Sequence, residues 1–449
     1  MVQNSKISGP PGLLRIGFLF LACLFLVLIL GIELAVVLSK APEKLSSDFV
    51  FAIIGRTTGL WAATLLIMQF VLSARLKILN RIFGIDKLMI CHRFLGASAL
   101  TLAILHPLIL YKSEFYIFGA LKLERWPEVL GAAVLTIIVI VVCTSLFRAF
   151  LQIDYRVWRI IHQLAFVSVL IVAIHALAIG DEFQSLASRI VCVIILLAYV
   201  ALFVWVKFIK PSVLKNNPYE VTEVTVLNHN VVDLKLKPVK TSLFEYLPGQ
   251  FGFLRLFSKD VKKEEHPFTI SSSPESNDSI SFTIKNCGDY TSTIGKTKVG
   301  DKATVEAPFG RFSYLMYPPM EHIILIAGGI GITPLLSMLR YIAQTDNQKR
   351  VTLIWANRTG EDTFLPEEFD EFTKAMPNLK IHHIMSRQKD YHGLKGYLNE
   401  EILKELLGQV SVDSKVFLCG PPEMMKSVKI VLRKIGFTRK QIITENFIL

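Results

Sequence analysis

Four histidines fall inside apolar stretches long enough to cross a bilayer. His92 and His106 stand in "CHRFLGASALTLAILHPLIL", and His162 and His175 in "VWRIIHQLAFVSVLIVAIHALAIG". An unpaired polar group in hydrocarbon is costly, so an imidazole placed there needs a partner. Separations of fourteen and thirteen residues correspond to roughly 20 Å along a helix. If the two stretches run in the same direction, they give two levels with two imidazoles at each. A haem iron held by two axial histidines satisfies both rings and leaves no axial position open, which suits electron transfer. Bare metal ions would want carboxylates or thiolates nearby, and these stretches offer almost none. A single histidine read alone could equally be a core residue bonded to a neighbouring helix. Four of them, paired by depth, favour two b-type haems ligated by His92, His106, His162 and His175. One detail resists. Fourteen residues return a side chain to within about 40° of its starting face, but thirteen miss by about 140°. The second stretch then needs a bend or local unwinding between His162 and His175, or haems approached from different sides.

The elements that must carry these residues are apolar helices. The chain has 449 residues, of which 52% are hydrophobic, too many for a purely soluble protein. Six apolar segments, near residues 12–38, 49–73, 88–111, 128–149, 158–180 and 186–209, each approach the ~20 residues a spanning helix needs. The first reads as a retained helix rather than a signal peptide, because it is long and lacks a small-residue cleavage site. The net charge of +12 is not gathered into a basic stripe with interleaved aromatics, which excludes a nucleic-acid partner. Many of the cations flank apolar runs instead: Arg75, Lys77, Arg81 and Lys87, then Arg148, Arg156 and Arg159, then Lys207, Lys210 and Lys215. The positive-inside rule places those loops, both termini and the soluble half on the cytoplasmic side. His92 and His162 then lie near the inner face, and His106 and His175 near the outer one. Cys23, Cys91, Cys143, Cys192, Cys287 and Cys419 lie far apart, without the clusters of zinc or iron–sulfur sites.

From about residue 216 the chain reads as soluble sequence. Short alternating runs, "VTEVTVL", "VVDLKLKPV" and "YLPGQFGFLRL", predict a small antiparallel β-barrel over 216–317. Over 318–449 strands alternate with helical patterns, as in an α/β nucleotide-binding domain. "HIILIAGGIGITPLLSMLRYIAQ" predicts a buried strand, a glycine turn and a helix. Gly328, Gly329 and Gly331 would let the backbone approach a diphosphate, Thr333 could cap, and Pro334 suits the first helical position. Arg358 in "WANRTGED", and Arg387 with Ser386 in "IMSRQKD", each follow a strand-like run. An arginine fork suits a phosphate, although either could be a solvated surface charge.

The histidine pattern, H-x13-H then H-x12-H within six helices and ahead of a flavin-reductase module, resembles the NADPH oxidase and ferric reductase superfamily. The likeness is to its prokaryotic-type oxidases. The resemblance implies a ferric-reductase-like transmembrane di-haem domain over 1–215, then an FAD barrel and an NAD(P)H domain. It implies that His266, Pro267, Phe268 and Thr269 of "HPFTISSSP" line the flavin, and that Gly288, Thr291 and Ser292 of "IKNCGDYTSTI", with Lys285, hold the FAD pyrophosphate. In "FLCGPPEMM" it places Cys419, Gly420 and Pro421 beside the nicotinamide, and in "QIITENFIL" it makes Phe447 the ring that shields the flavin. At Arg358, Ser386 and Arg387 it implies contacts to the adenosine 2′-phosphate of NADPH, with NADH possible. The implied activity is electron transfer from cytoplasmic NADPH through FAD and two haems to a small-molecule acceptor outside. That acceptor would be oxygen, giving superoxide or hydrogen peroxide, or a ferric or cupric species. A subunit or redox sensor serving a partner protein is the reading from another class. No obligatory protein partner and no regulatory module are visible, and a bacterial plasma membrane is the expected location. Arg56 in "FAIIGRTTGLW" falls about two turns below the outer surface. It would snorkel to headgroups, or, as the resemblance implies, bind an outer-haem propionate and serve oxygen reduction. Leu110 stands where the oxidases carry a further outer histidine.

Overall fold

The computed structural model describes residues 26–39, 47–114, 125–276, 278–408, 411 and 413–445. Phe447, assigned above to flavin shielding, lies outside these residues, as does most of the first apolar segment. The chain forms two compact units that divide at Lys210 and Pro211.

The N-terminal unit is helical: α1 (Leu26–Leu38), α2 (Ser47–Ser73), the short α3 (Lys77–Phe83), α4 (Ile85–Glu114), α5 (Trp126–Leu146), α6 (Tyr155–Ile179) and α7 (Leu186–Val204). Five helices among the described residues are long and apolar enough to cross a membrane: α2, α4, α5, α6, and α7 with its continuation to Asn216. Helix α1, as described, is shorter than a span. The helices bury little of their surface against one another and present Ile90, Phe94, Ile160, Ile194 and Leu197 outward, as expected where the solvent is lipid and apolar burial gives no drive for association. Helix α2 packs along α4 and α5 along α6, so each histidine-bearing helix has one close partner. Helix α6 is unbroken from Tyr155 to Ile179. The thirteen-residue offset is therefore not absorbed by local unwinding, and His162 and His175 leave α6 at azimuths about 140° apart.

The C-terminal unit carries two six-stranded sheets, after the short α8 (Lys210–Asn216). The first is antiparallel. It comprises β1 (Tyr219–Asn228), β2 (Val231–Pro238), β3 (Phe251–Leu256), β4 (Glu265–Thr269), β5 (Ile280–Lys285) and β6 (Lys302–Phe309), in the order β4-β3-β6-β1-β2-β5. Just beyond β4, the Ser271 amide donates to Ser281 O at 2.8 Å, which joins the two edge strands and closes the sheet toward a barrel. The four-residue helix α9 (Thr291–Ile294) follows β5.

The second sheet is parallel. It comprises β7 (His322–Gly328), β8 (Arg350–Asn357), β9 (Leu379–Met385), β10 (Leu394–Lys395), β11 (Ser414–Cys419) and β12 (Ile442–Glu445), in the order β10-β9-β8-β7-β11-β12. Strand β7 is buried along its whole length, which is why its sequence is an unbroken apolar run rather than an alternating one. Its Ile323, Leu325 and Ala327 pack with α10 (Ile332–Thr345) and α11 (Pro366–Ala375), while Ile324 and Ile326 pack with α12 (Glu400–Leu407) and α13 (Pro422–Lys434).

A half-buried arginine ties the two sheets together. Arg340 of α10 holds Glu368 of α11 bidentately, at 2.6 and 2.7 Å, and donates to Ser271 O of the flavin segment at 2.8 Å. Burial works against the guanidinium's charge, but the Glu368 bonds outweigh it and hold the pKa above the usual value. Ser337 adds a bond to Ser272 O at 2.7 Å.

Candidate functional site

The four intramembrane histidines come together in two pairs. Ring centroids of His92 and His162 are 6.0 Å apart, and those of His106 and His175 are 6.4 Å apart. A metal–imidazole bond of about 2.0 Å on each side of a central ion puts two axial rings about 6.3 Å apart, centroid to centroid. Both pairs have that spacing. Among the described residues no group of three or more His, Cys, Asp or Glu side chains could hold a bare ion, so each pair suits a metal that arrives with its own equatorial donors, as haem iron does.

The hydrogen bonds define which nitrogen is available. Nδ1 of His106 faces Gly55 O at 2.7 Å, Nδ1 of His175 faces Pro127 O at 2.8 Å, and Nδ1 of His92 faces Gln69 O at 3.2 Å. A carbonyl only accepts, so all three rings carry the proton on Nδ1. His162 instead faces Ser145 Oγ at 3.1 Å. That hydroxyl donates its single proton to Val141 O at 2.6 Å and accepts from Trp158 Nε1 at 3.1 Å. It can therefore only accept from His162, and the same tautomer follows. All four Nε2 atoms keep a lone pair for a metal, with Nδ1–H anchored behind it, the usual design of a ligating histidine.

These partners come from α2 and α5, and the sequence did not announce them. Gly55 and Gln69 are fourteen residues apart on α2, the same interval as His106 and His92 on antiparallel α4. At the His106–His175 pair a glycine stands four residues after each accepting carbonyl. A Cβ on Gly59 would meet His106 Nδ1 at 2.6 Å, and one on Gly131 would meet His175 Cε1 at 2.8 Å. Glycine is the residue that lets a ring reach a helix carbonyl sideways. The available signal was glycine inside each apolar helix, Gly55 and Gly59 in α2 and Gly131 in α5, which calls for a packing reason.

Arg56 also has an anion within the chain. Its Nη1 lies 2.7 Å from Asp181 Oδ2, in the turn just after the helix that carries His175. The pair joins α2, which holds His106 through Gly55 O, to the end of α6.

In the C-terminal unit the flavin segment forms β4. His266 stacks on Tyr290 at 4.1 Å with the planes 21° apart, and its Nε2 meets Glu264 Oε2 at 3.1 Å. Pro267 and Phe268 are half-buried beside them, while Thr269 is buried and its Oγ1 has no hydrogen-bond partner among the described residues. An orphaned buried hydroxyl in this strand fits a bound flavin chain. Gly288 has open space where a Cβ would stand. The hydroxyls of Thr291 and Ser292, expected to hold the pyrophosphate, are engaged within their own turn, donating to Gly288 O at 3.1 Å and Asp289 O at 2.9 Å. Lys285 pairs with Asp362 at 3.3 Å across the two sheets, so its charge is already matched.

The glycine turn after β7 lies at the switch point where the sheet's strand order reverses, between β7 and β11, the place where open α/β sheets take ligands. Gly329 has a φ of +52° and open space around it, as a ligand-facing glycine requires. Gly328 and Gly331 have a packing reason as well: a Cβ on Gly328 would strike Met424 and Pro421, and one on Gly331 would strike the Cys419 carbonyl. A Cβ on Gly420 would in turn stand 3.0 Å from the Gly328 backbone. Trp355 Nε1 donates to Gly329 O at 3.0 Å and fixes the turn from below. Thr333 does not cap; its hydroxyl bonds Ile330 O at 3.2 Å, and Pro334 is the third residue of α10 rather than the first. Cys419 is fully buried, and burial, with Glu445 adding to it, pushes its thiol well above the usual value. It is a thiol and not a nucleophile at neutral pH.

Arg358 and Arg387 come side by side at the ends of β8 and β9, where the Arg387 amide donates to Arg358 O at 2.8 Å. Both side chains are exposed. Ser386 Oγ donates to Asn357 O at 3.2 Å. Asn357 was missed from sequence: it is 6% exposed at the carboxyl end of β8, and neither side-chain polar atom has a partner among the described residues. A buried amide of this kind calls for partners for both its donor and its acceptor.

Three family models match the chain: the ferric reductase like transmembrane component over residues 58–173, the FAD-binding domain over 216–351 and the oxidoreductase NAD-binding domain over 325–429. Among curated relatives, the glycine betaine monooxygenase reductase subunit of Chromohalobacter salexigens is 31% identical over 46% of this chain, which spans 57% of that relative's length. NADH-cytochrome b5 reductase 1 of Candida glabrata is 30% identical over 49% of this chain and 80% of its own. A solved structure, the cytochrome b5 reductase domain of Ulva prolifera nitrate reductase, is 22% identical with a TM-score of 0.46, covering 51% of this chain and 96% of that one.

Proposed function

This chain belongs to the NADPH oxidase and ferric reductase superfamily, and from that premise we propose a membrane oxidoreductase that carries electrons from cytoplasmic NADPH to an acceptor on the outer face. The observation that supports it most is the pair of imidazole pairs, at 6.0 and 6.4 Å, with every Nδ1 hydrogen-bonded and every Nε2 left for iron. FAD, when bound, would supply the exchange of a two-electron hydride for single electrons. Two b-type haems, when bound, supply one-electron carriers at two depths.

The chain's own residues do the rest. The turn at Gly329 and the first turn of α10 receive the nucleotide diphosphate, where unpaired helix amides favour an anion. Arg358 and Arg387 take the 2′-phosphate that distinguishes NADPH, with Ser386 and Asn357 beside them. The Cys419–Gly420–Pro421 turn borders the nicotinamide. The strand from His266 to Thr269 lines the flavin, while Gly288, Thr291 and Ser292 border its pyrophosphate through backbone amides. His92 with His162, and His106 with His175, would hold the two haems through their free Nε2 atoms. Six spans place both termini in the cytoplasm of a bacterial cell.

One NADPH releases two electrons and one proton, enough to convert two oxygen molecules to superoxide or two ferric ions to ferrous. Oxygen is the first reading of the acceptor. Asp181 favours the second, a ferric or cupric reductase, because it neutralises the Arg56 guanidinium that a developing oxygen anion would need. The relatives named NADH-cytochrome b5 reductases favour NADH as the alternative donor. Oxygen uptake measured against ferric chelate reduction, with superoxide dismutase present, separates the acceptors. Purified protein that oxidises NADPH yet passes electrons to neither without an added protein would instead mark an electron-transfer subunit or a redox sensor.

A further inference from the structure

Three of the four intramembrane imidazoles give their Nδ1 proton to a backbone carbonyl, and the fourth gives it to a side chain. Ser145 Oγ receives His162 Nδ1–H and Trp158 Nε1–H, each at 3.1 Å, while its own proton goes to Val141 O at 2.6 Å. The indole also lies against the imidazole, with centroids 5.0 Å apart and planes 32° apart. A main-chain carbonyl offers much the same acceptor whatever side chain it belongs to. A hydroxyl oxygen shared between two N–H donors offers each less than it would offer one alone. Its strength toward His162 is therefore set by Trp158. Stronger acceptance at Nδ1 makes Nε2 more basic, and a more basic axial ligand holds iron in the ferric state and lowers its reduction potential. The two levels differ accordingly: the His106–His175 rings bond carbonyls at 2.7 and 2.8 Å, and the His92–His162 rings bond their acceptors at 3.2 and 3.1 Å.

We propose, resting on the haem reading above, that Ser145 and Trp158 are positioning residues that set the reduction potential at the His92–His162 level. Ser145 holds His162 in the Nε2-free tautomer. Trp158, by drawing on the same oxygen, weakens the push on the ring and keeps this level easier to reduce than it would be with a carbonyl-type partner.

The test is a potentiometric titration of the full-length protein in detergent, followed at the haem absorption bands. Trp158→Phe keeps an aromatic ring against the imidazole and removes the N–H donor, so the hydroxyl accepts more strongly from His162 and one of the two waves moves down. Ser145→Ala removes the acceptor, so the same wave moves up. Each shift is about two- to tenfold in the one-electron equilibrium constant, tenfold being about 59 mV. Ser145→Thr, which keeps a hydroxyl, returns the wave toward its wild-type position. The opposite signs matter, since looser packing or water entry would move both variants the same way. Shifts of one sign, or none with both haems retained, overturn the proposal. A wild-type protein that binds no bis-histidine haem overturns the haem reading itself, a distinct result. If Ser145→Ala sheds its haem, the downward shift of Trp158→Phe decides alone.

Discussion

Adding one methyl group at Gly59 or Gly131 tests whether the histidine pairs are built as ligands. Gly59→Ala would put a carbon 2.6 Å from His106 Nδ1 and 2.8 Å from its Cε1, and Gly131→Ala would put one 2.8 Å from His175 Cε1. Ordinary non-bonded contacts lie at about 3.5 Å or more, so each ring must withdraw from its helix by most of an ångström. The bonds to Gly55 O and Pro127 O, now 2.7 and 2.8 Å, stretch past useful length. Losing such a bond costs about 1 kcal/mol, and forcing a methyl into a filled site adds about 1–3 kcal/mol. The haem at this level should then bind about 2–4 kcal/mol more weakly, on the order of 30- to 1000-fold in dissociation constant. Gly96→Ala is the internal control: the same change inside α4, but with Gln69 Oε1 at 3.5 Å as the nearest atom, and so no clash. Pyridine haemochrome stoichiometry and reduced-minus-oxidised spectra of purified protein give the answer. Gly59→Ala and Gly131→Ala should each fall toward one haem per chain while Gly96→Ala keeps two. If all three variants hold two haems with unchanged potentials, the rings are not seated on iron as argued.

Arg358→Ala and Arg387→Ala should weaken NADPH more than NADH, by about 1.5–3 kcal/mol for a lost charge-assisted phosphate bond; equal losses in steady-state KM for both nucleotides would assign the arginines a structural part. Arg340→Met leaves Glu368 mostly buried, with side-chain exposure 24%, and should cost about 3–5 kcal/mol in urea unfolding, most of it recovered by adding Glu368→Leu. A neutral single variant would show that the two sheets do not depend on this latch. His322, whose Nε2 meets Thr352 Oγ1 at 2.8 Å, is held down to about 4 by burial first, then by Arg350 and Lys380. Its folded value lies below the ordinary one of about 6.5, so the unfolded chain protonates first. Its contribution is complete above about pH 6.5 and drains away as the pH falls toward 4, by at most about 3 kcal/mol. Thermal melting of the C-terminal unit between pH 7 and 4.5 should show this loss, and His322→Gln should flatten it; an unchanged slope in the variant would refute the assignment.

What was legible from sequence was whatever is written locally along the chain. Apolar run length marks helices that can span a bilayer, because the bilayer imposes the length. The alternating runs after residue 216 and the apolar run before Gly328 mark an antiparallel and a parallel sheet, because one leaves a face to water and the other leaves none. The depths of His92, His106, His162 and His175 follow from helix rise alone. Partners are another matter. Nothing in a residue type says that the carbonyls of Gly55, Gln69 and Pro127 accept from histidines, since every residue carries a carbonyl and only helix packing selects which one a ring meets. Gly328 and Gly331 are legible as places where the backbone can approach a ligand, but that the Cys419–Pro421 turn, some ninety residues on, also crowds them is decided by packing alone. Arg56 announced a need for an anion, but only the close of α6 at Asp181 decided which. The thirteen-residue interval that defied a single helix face was resolved by tertiary placement too. Helix α6 stays regular, and Ser145 on α5 meets His162 with a side chain where the other three rings meet backbone. Local periodicity is set by each element's own geometry, whereas the identity of a contact belongs to two elements at once, and only their packing determines it.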